Sequence, residues 1–146
     1  MQLDTTRFGN VCIRSEDIFR FPQGLIGYSD SRRWVLLADA ANESVGWLQC
    51  AKRADVALPV ISPRRFVQDY KFHVAPDQLA AIELDDVHRA FVLTVVAKQG
   101  HVLTANLKAP LIFNLDLRLG CQVVVSDDHP LQYELADSAP KLRKIA

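Results

Sequence analysis

A chain of 146 residues, 49% hydrophobic and 23% charged, has the length and composition of one ordinary globular domain and can bury a single core. Its 17 basic and 17 acidic residues cancel, which excludes a strong overall field toward nucleic acid or membrane. No apolar run approaches the roughly 20 residues that span a bilayer, and the opening MQLDTTRFGNVC lacks a basic segment followed by an apolar one, so no secretion signal is read there.

Short segments rich in β-branched and aromatic residues recur between turn signals along nearly the whole chain. Residues 3–6 and 11–13 flank Phe8-Gly9-Asn10, a hairpin signal in which Gly9 supplies a positive φ. Ser15-Glu16-Asp17 reads as a single short helical turn. Strands are expected at Trp34 to Leu37, Val45 to Gln49 and Val56 to Ile61. Pro76 suits a first helical position and Asp77 complements the positive helix end, so one short helix is expected over about 76–83. Ala90 to Ala97, AFVLTVVA, is the strongest strand, and its unbroken apolar character predicts burial on both faces.

Lys98-Gln99-Gly100 turns the chain into a strand from His101 to Asn106. The stretch TANLKAPLIFN, residues 104–114, then reads as a strand broken at Ala109–Pro110 and resumed at Leu111, because proline cannot donate to a β ladder. Gly120 precedes a last strand, Gln122 to Val125. The end of the chain, with Pro140 and the basic Lys141 to Lys144, reads as loosely held from about residue 132. The expected architecture is a single domain, β-dominated (all-β in class), a small antiparallel β-barrel-like fold with one short helix.

Catalytic patterns are missing. There is no GxSxG, GxxxxGK[ST], GxGxxG or HExxH, and no cofactor is implied. His73, His88, His101 and His129 are scattered, without Cys or carboxylate at metal-ligand spacing. Asp85-Asp86 and Asp127-Asp128 would point to opposite faces of a strand and read as solvated turn residues. Cys12, Cys50 and Cys121 are odd in number and widely spaced, which fits buried thiols in a reducing cytoplasm.

Three constellations remain. Phe21 to Tyr28, FPQGLIGY, combines loop-fixing proline and glycines with the apolar bulk of Leu25, Ile26 and Tyr28. These side chains either cap the core or face a partner, since exposed loops seldom carry contiguous apolar residues without one. Arg64, Arg65, Phe66 and Tyr70 would suit base stacking in an RNA- or oligonucleotide-binding barrel; the competing reading is a packed aromatic corner with exposed arginines. The basic end Lys141-Leu142-Arg143-Lys144 reads as a solvated terminus.

FPQGLIGY at 21–28, WLQC at 47–50, LPVISPRRFVQDYKF at 58–72, TANLKAPLIFN at 104–114 and GCQVVV at 120–125 coincide in order and spacing with the flagellar assembly factor W (FliW) family. The chain resembles that family over roughly residues 3 to 131. The resemblance implies a small, non-enzymatic cytoplasmic β-barrel-like protein, a monomer on its own. It implies two protein partners, flagellin and the carbon storage regulator CsrA, a dimeric RNA-binding translational repressor, with no direct nucleic-acid or membrane binding. Flagellin export would free the factor to relieve repression of flagellin synthesis, acting on CsrA away from its main RNA-binding surface.

The chain departs from the family pattern in two places. Ile26 stands where a second proline is usual, which predicts a less rigid loop. His129-Pro130-Leu131-Gln132 replaces a Tyr-Pro-x-Arg element, so a charged contact there is not assumed. A basic partner favours an acidic surface. The expected contact set is therefore Glu16, Asp17, Asp69, Asp85 and Asp86, with apolar anchors Leu25, Ile26, Tyr28, Phe66 and Tyr70. Asn106 and Asn114 are expected to satisfy backbone groups around Pro110 rather than touch a partner.

Overall fold

Alternation of apolar side chains gives most of the strands one face toward a common interior. The computed structural model describes residues 1–135. Its strands are β1 (Gln2–Thr5), β2 (Gly9–Cys12), β3 (Ile18–Arg20), β4 (Arg33–Ala38), β5 (Val45–Cys50), β6 (Ala57–Ile61), β7 (Phe91–Gln99), β8 (Val102–Ala105), β9 (Leu111–Asn114), β10 (Leu119–Gln122) and β11 (Tyr133–Glu134). Strands β7-β6-β5-β4-β3-β10-β9 form a continuous sheet that closes on itself through β7 and β9, a seven-stranded barrel. Closure leaves the seven strands without a free sheet edge around the ring. The pairings are antiparallel except β3 with β10, which run parallel at Leu119 and Arg20.

The barrel interior is aromatic. Phe19, Phe21, Trp34, Leu48, Leu111 and Phe113 are all buried there. Phe113 sits edge-on to both Phe19 and Phe21, with ring centroids 5.0 and 5.5 Å apart. Two further layers cover the outside. The β1–β2 hairpin, turned at Gly9 with φ +71°, lays Leu3 on Val35 of β4. On the far side, the segment from Pro63 to Ala90, with its helix α1 (Pro76–Ala80), covers Ile61, Ile112 and Leu119. Every residue of β9 is buried because the barrel lies on one side of it and this outer layer on the other.

The interruption at Pro110 stands as expected. Strands β8 and β9 follow the same partner, β7, pairing with Val96–Gln99 and Phe91–Leu93 respectively, with residues 106–110 looped out between them. Pro110 offers its carbonyl to Val123 N–H at 3.2 Å and can return no donor.

Several expectations are corrected. The strand expected at 122–125 is β10, at 119–122, and it is not the last, since β11 follows. Val123 and Val125 are buried but hydrogen-bond irregularly to Pro110 and Lys108, because the proline cannot complete a ladder. Strand β7 is not buried on both faces throughout: Leu93, Thr94 and Val96 are, while Phe91 at the barrel rim and residues 97–99, which carry β8 outward, are exposed. The helix ends at Ala80, and Glu83 takes a left-handed backbone, φ 57°. Cys12 is exposed; only Cys50 is fully buried, while Cys121 is half-buried and its thiol is pushed up to about 11 by burial.

Of the end expected to be loosely held from about residue 132, residues 136–146 lie outside the described residues, while the part up to 135 is paired. Strand β11 pairs with β8, and Leu135, itself buried, donates its N–H to Leu103 O at 2.9 Å. Asp127 grips the preceding loop: one carboxylate oxygen accepts from the backbone N–H of His73 and the other meets His73 Nδ1, each at 2.8 Å. The basic stretch Lys141 to Lys144 lies outside the described residues.

Two predictions follow from this frame. A Cβ on Gly120 would lie 2.5 Å from the Phe21 ring, so Gly120→Ala should cost about 1–3 kcal/mol in denaturant unfolding, as overpacked cores do. Phe21→Leu in the same chain should recover part of that loss. The second concerns pH. The His73 N–H, and then the His73 ring, hold the Asp127 carboxyl below its ordinary value. A depressed carboxylate pKa contributes stability that is present above the unfolded value of about 3.9 and is lost as pH falls through the folded value. Asp127→Ala should therefore be less stable than the parent chain near neutrality, with the gap closing below about pH 4.

Candidate functional site

The loop from Phe21 to Tyr28 is built as a tight turn. Leu25 N–H donates to Tyr28 O at 3.2 Å and Tyr28 N–H to Leu25 O at 2.8 Å, with Gly27 at φ +86° in the third position of the turn. That geometry places Ile26 where a type II turn favours proline and leaves its side chain 60% exposed. The loop was expected to be less rigid for lack of the proline. Instead Ile26 N–H, a donor proline would not have, bonds to Gln122 Oε1 at 2.9 Å. Gln122 Nε2 in turn donates to Ala109 O at 3.1 Å. One glutamine on β10 thus ties the FPQGLIGY loop to the interruption before Pro110.

Between these two tethered segments lies a groove of about 320 Å³. Leu25, Leu58 and Val95 form its apolar wall, Asn106 and Gln122 add polar groups, and the exposed side chains of Ile26 and Leu131 stand over it. Asn106 keeps the wall in shape by accepting from Ala109 N–H at 3.0 Å. Asn114 is buried elsewhere, donating to Ile82 O at 2.9 Å and accepting from Leu117 N–H. Both asparagines have internal backbone partners, but only Asn106 serves the backbone beside Pro110; the partners of Asn114 are Ile82 and Leu117 instead.

The expected contact residues divide. Ile26 is exposed and Tyr28 is half-buried, edge-on to Trp34 at 5.9 Å. Leu25 is 3% exposed and packs with the barrel interior, although it reaches the groove wall. Tyr70 is corrected to a core residue: it is 1% exposed and its hydroxyl donates to Leu107 O at 2.6 Å. Phe66 is half-buried against the same outer layer, and Arg64 Nε donates to Tyr70 O at 3.2 Å. Of the aromatic pair that would stack bases, Tyr70 is therefore not presented to solvent and Phe66 only in part.

The five acids come from three separate turns. Glu16 and exposed Arg14 form an ion pair at 3.4 Å, and Asp17 accepts from Arg14 N–H at 2.8 Å. Asp69 and Asp85 are exposed on their loops. Asp86 caps the turn before β7, accepting from His88 N–H at 2.9 Å, and that bond with the His88 ring lowers its pKa. In the WLQC segment, Gln49 is buried and donates to the carbonyls of Cys50, Arg53 and Ala54, closing the turn between β5 and β6. Among the described residues no three His, Cys, Asp or Glu side chains gather as metal ligands, and no helix is long and apolar enough to cross a membrane.

Sequence reasoning picked the loop, and Asn106 as a residue serving the backbone beside Pro110, but missed Gln122 and Leu131 as companions of the loop. The signal for Gln122 lies in a contact between residues 96 positions apart, which local pattern does not carry. Replacing it with leucine should free two backbone groups and cost about 1–2 kcal/mol. The Ile26 amide should then exchange measurably faster by hydrogen-exchange mass spectrometry.

The family model described as FliW protein matches residues 2–135. The chain is 35% identical over 131 residues to the flagellar assembly factor FliW of Bdellovibrio bacteriovorus, covering 88% of this chain and 75% of that one. It is also 35% identical over 136 residues to the flagellar assembly factor FliW of Natranaerobius thermophilus, covering 91% and 88%. A crystal structure of the flagellar assembly factor FliW superposes with TM-score 0.85 at 24% identity, over 92% of this chain and 96% of that one, and so shares the fold. The chain belongs to the FliW family of flagellar assembly factors.

Proposed function

We propose that this member of the FliW family works by binding two proteins, flagellin and the translational repressor CsrA, and so couples flagellin synthesis to flagellum assembly. The observation that carries the reading is the groove beneath Ile26 and Leu131, two large apolar side chains 60% and 63% exposed. Exposed apolar groups over a shaped groove, with polar groups at its rim, suit a protein partner. The separate acidic turns at Glu16-Asp17, Asp69 and Asp85-Asp86 suit a basic partner, whose approach they would steer. An RNA-binding barrel is disfavoured by the burial of Tyr70 and by a formal net charge of zero.

The test is co-elution of the purified chain with CsrA and with flagellin from the same organism, followed by titration. Ile26→Asp and Leu131→Asp should each weaken at least one of the two complexes by about tenfold or more, the scale of a lost apolar anchor. Reversing Glu16, Asp17, Asp69 and Asp85 should lower CsrA affinity and flatten its salt dependence. Failure to bind either partner would remove the proposal. Steeply salt-dependent binding to flagellin leader RNA without CsrA would put an RNA-binding role in its place.

A further inference from the structure

Trp47 belongs to a segment of the chain that the groove under Ile26 does not use. It stands on the outer face of β5, opposite Pro59 of β6, and beside it Val45 is opposite Ile61. With Val96 of β7 and Leu103 of β8 these side chains floor a second cleft, of about 400 Å³, running across four strands. Phe8 closes one side, edge-on to the indole at 5.9 Å.

The charges around this cleft are uneven. Arg7 stacks its guanidinium over the Trp47 ring at 4.2 Å, and Lys98 also lines the cleft. Among the described residues neither forms an ion pair. The cleft's one carboxylate, Asp39, is committed inward: Oδ1 accepts from Trp47 Nε1 at 3.0 Å, and Oδ2 accepts from the N–H groups of Ala41 and Asn42. Arg65 reaches the start of β5 as well, through Ser44 Oγ at 3.5 Å. An apolar floor is thus bordered by two cations, Arg7 and Lys98, against a single carboxylate, Asp39, whose charge acts on Arg7 without a direct ion pair.

We propose that the cleft over Trp47 is a docking site for an acidic, apolar-anchored peptide segment of a partner protein. Its apolar side chain would fill the space over Ile61 and Val96, and its carboxylates would pair with Lys98 and Arg7. Arginine is suited to this dual role because it stacks on an aromatic face and still presents donors to a carboxylate. The site is separate from the groove under Ile26 and its assignment does not rest on CsrA or flagellin as the partners.

The two tryptophans make the test direct. Trp34 is fully buried and Trp47 is not, so a ligand-dependent emission change reports on Trp47, and Trp47→Phe should abolish it. The probe is a short peptide alternating leucine with glutamate, titrated at physiological salt beside the same peptide with lysine for glutamate. The acidic peptide should bind and change the emission, the basic one should not, and Lys98→Glu with Arg7→Glu should weaken binding by about fivefold or more. Circular dichroism checks that the variants keep the fold. Absence of binding by the acidic peptide, equal binding of both peptides, or unchanged affinity in the double variant would overturn the assignment.

Discussion

The fold turns on one contact: the Phe21 ring occupies the space where any residue but glycine at position 120 would place its Cβ. Phe21 immediately follows β3, Gly120 lies in β10, and these two strands form the single parallel pair that completes the barrel. The same ring meets Phe113 of β9 at right angles. A parallel pair joined at one register position has little ladder to hold it, and side-chain packing across it supplies what the hydrogen bonds do not. The glycine therefore sits in a strand interior for want of space, a reason quite different from turn formation.

That distinction explains where the sequence could be read and where it could not. β4, β5 and β6 were legible because each is a run of apolar and β-branched residues bounded by turn residues. The break at Pro110 was legible because it rests on a missing donor, a local fact of covalent structure. The start of β10 was not, because Gly120 is a turn signal in isolation and becomes a strand residue only once Phe21 is in place. Strand β3, three residues long, and β11, two residues long, carry too little pattern to stand out, and their partners lie far along the chain. Tyr70 looked like a surface aromatic because arginines precede it. Its hydroxyl finds Leu107 O, 37 residues away, and with that partner the ring can be buried without stranding a polar group.

The candidate site depends on the same assembly. Once β10 lies between β3 and β9, Gln122 at its end reaches the Ile26 amide on one side and the Ala109 carbonyl on the other. The stretches FPQGLIGY and TANLKAPLIFN become the two tethered borders of one groove. Position 26 shows how a turn can be held in different ways. Proline would fix φ in advance and lower the entropy of the unfolded chain; isoleucine leaves the chain freer but keeps an N–H that the glutamine can hold.

Formal neutrality, 17 charges against 17, describes the whole chain and says little about its faces. Turns 15–17, 67–70 and 85–87 carry five of the acids, while the cleft over Trp47 sets Lys98 and Arg7 against one acid, Asp39, which is bonded to the indole N–H and two backbone amides. Those bonds, the indole first, hold Asp39 below the ordinary carboxylate range. A carboxylate held this way remains charged at neutral pH and acts on the Arg7 guanidinium through space, while three neutral N–H donors fix its position. Two cations against one acid leave a cationic border on a neutral protein, and such a border favours partners of opposite charge at short range where the molecule as a whole favours none.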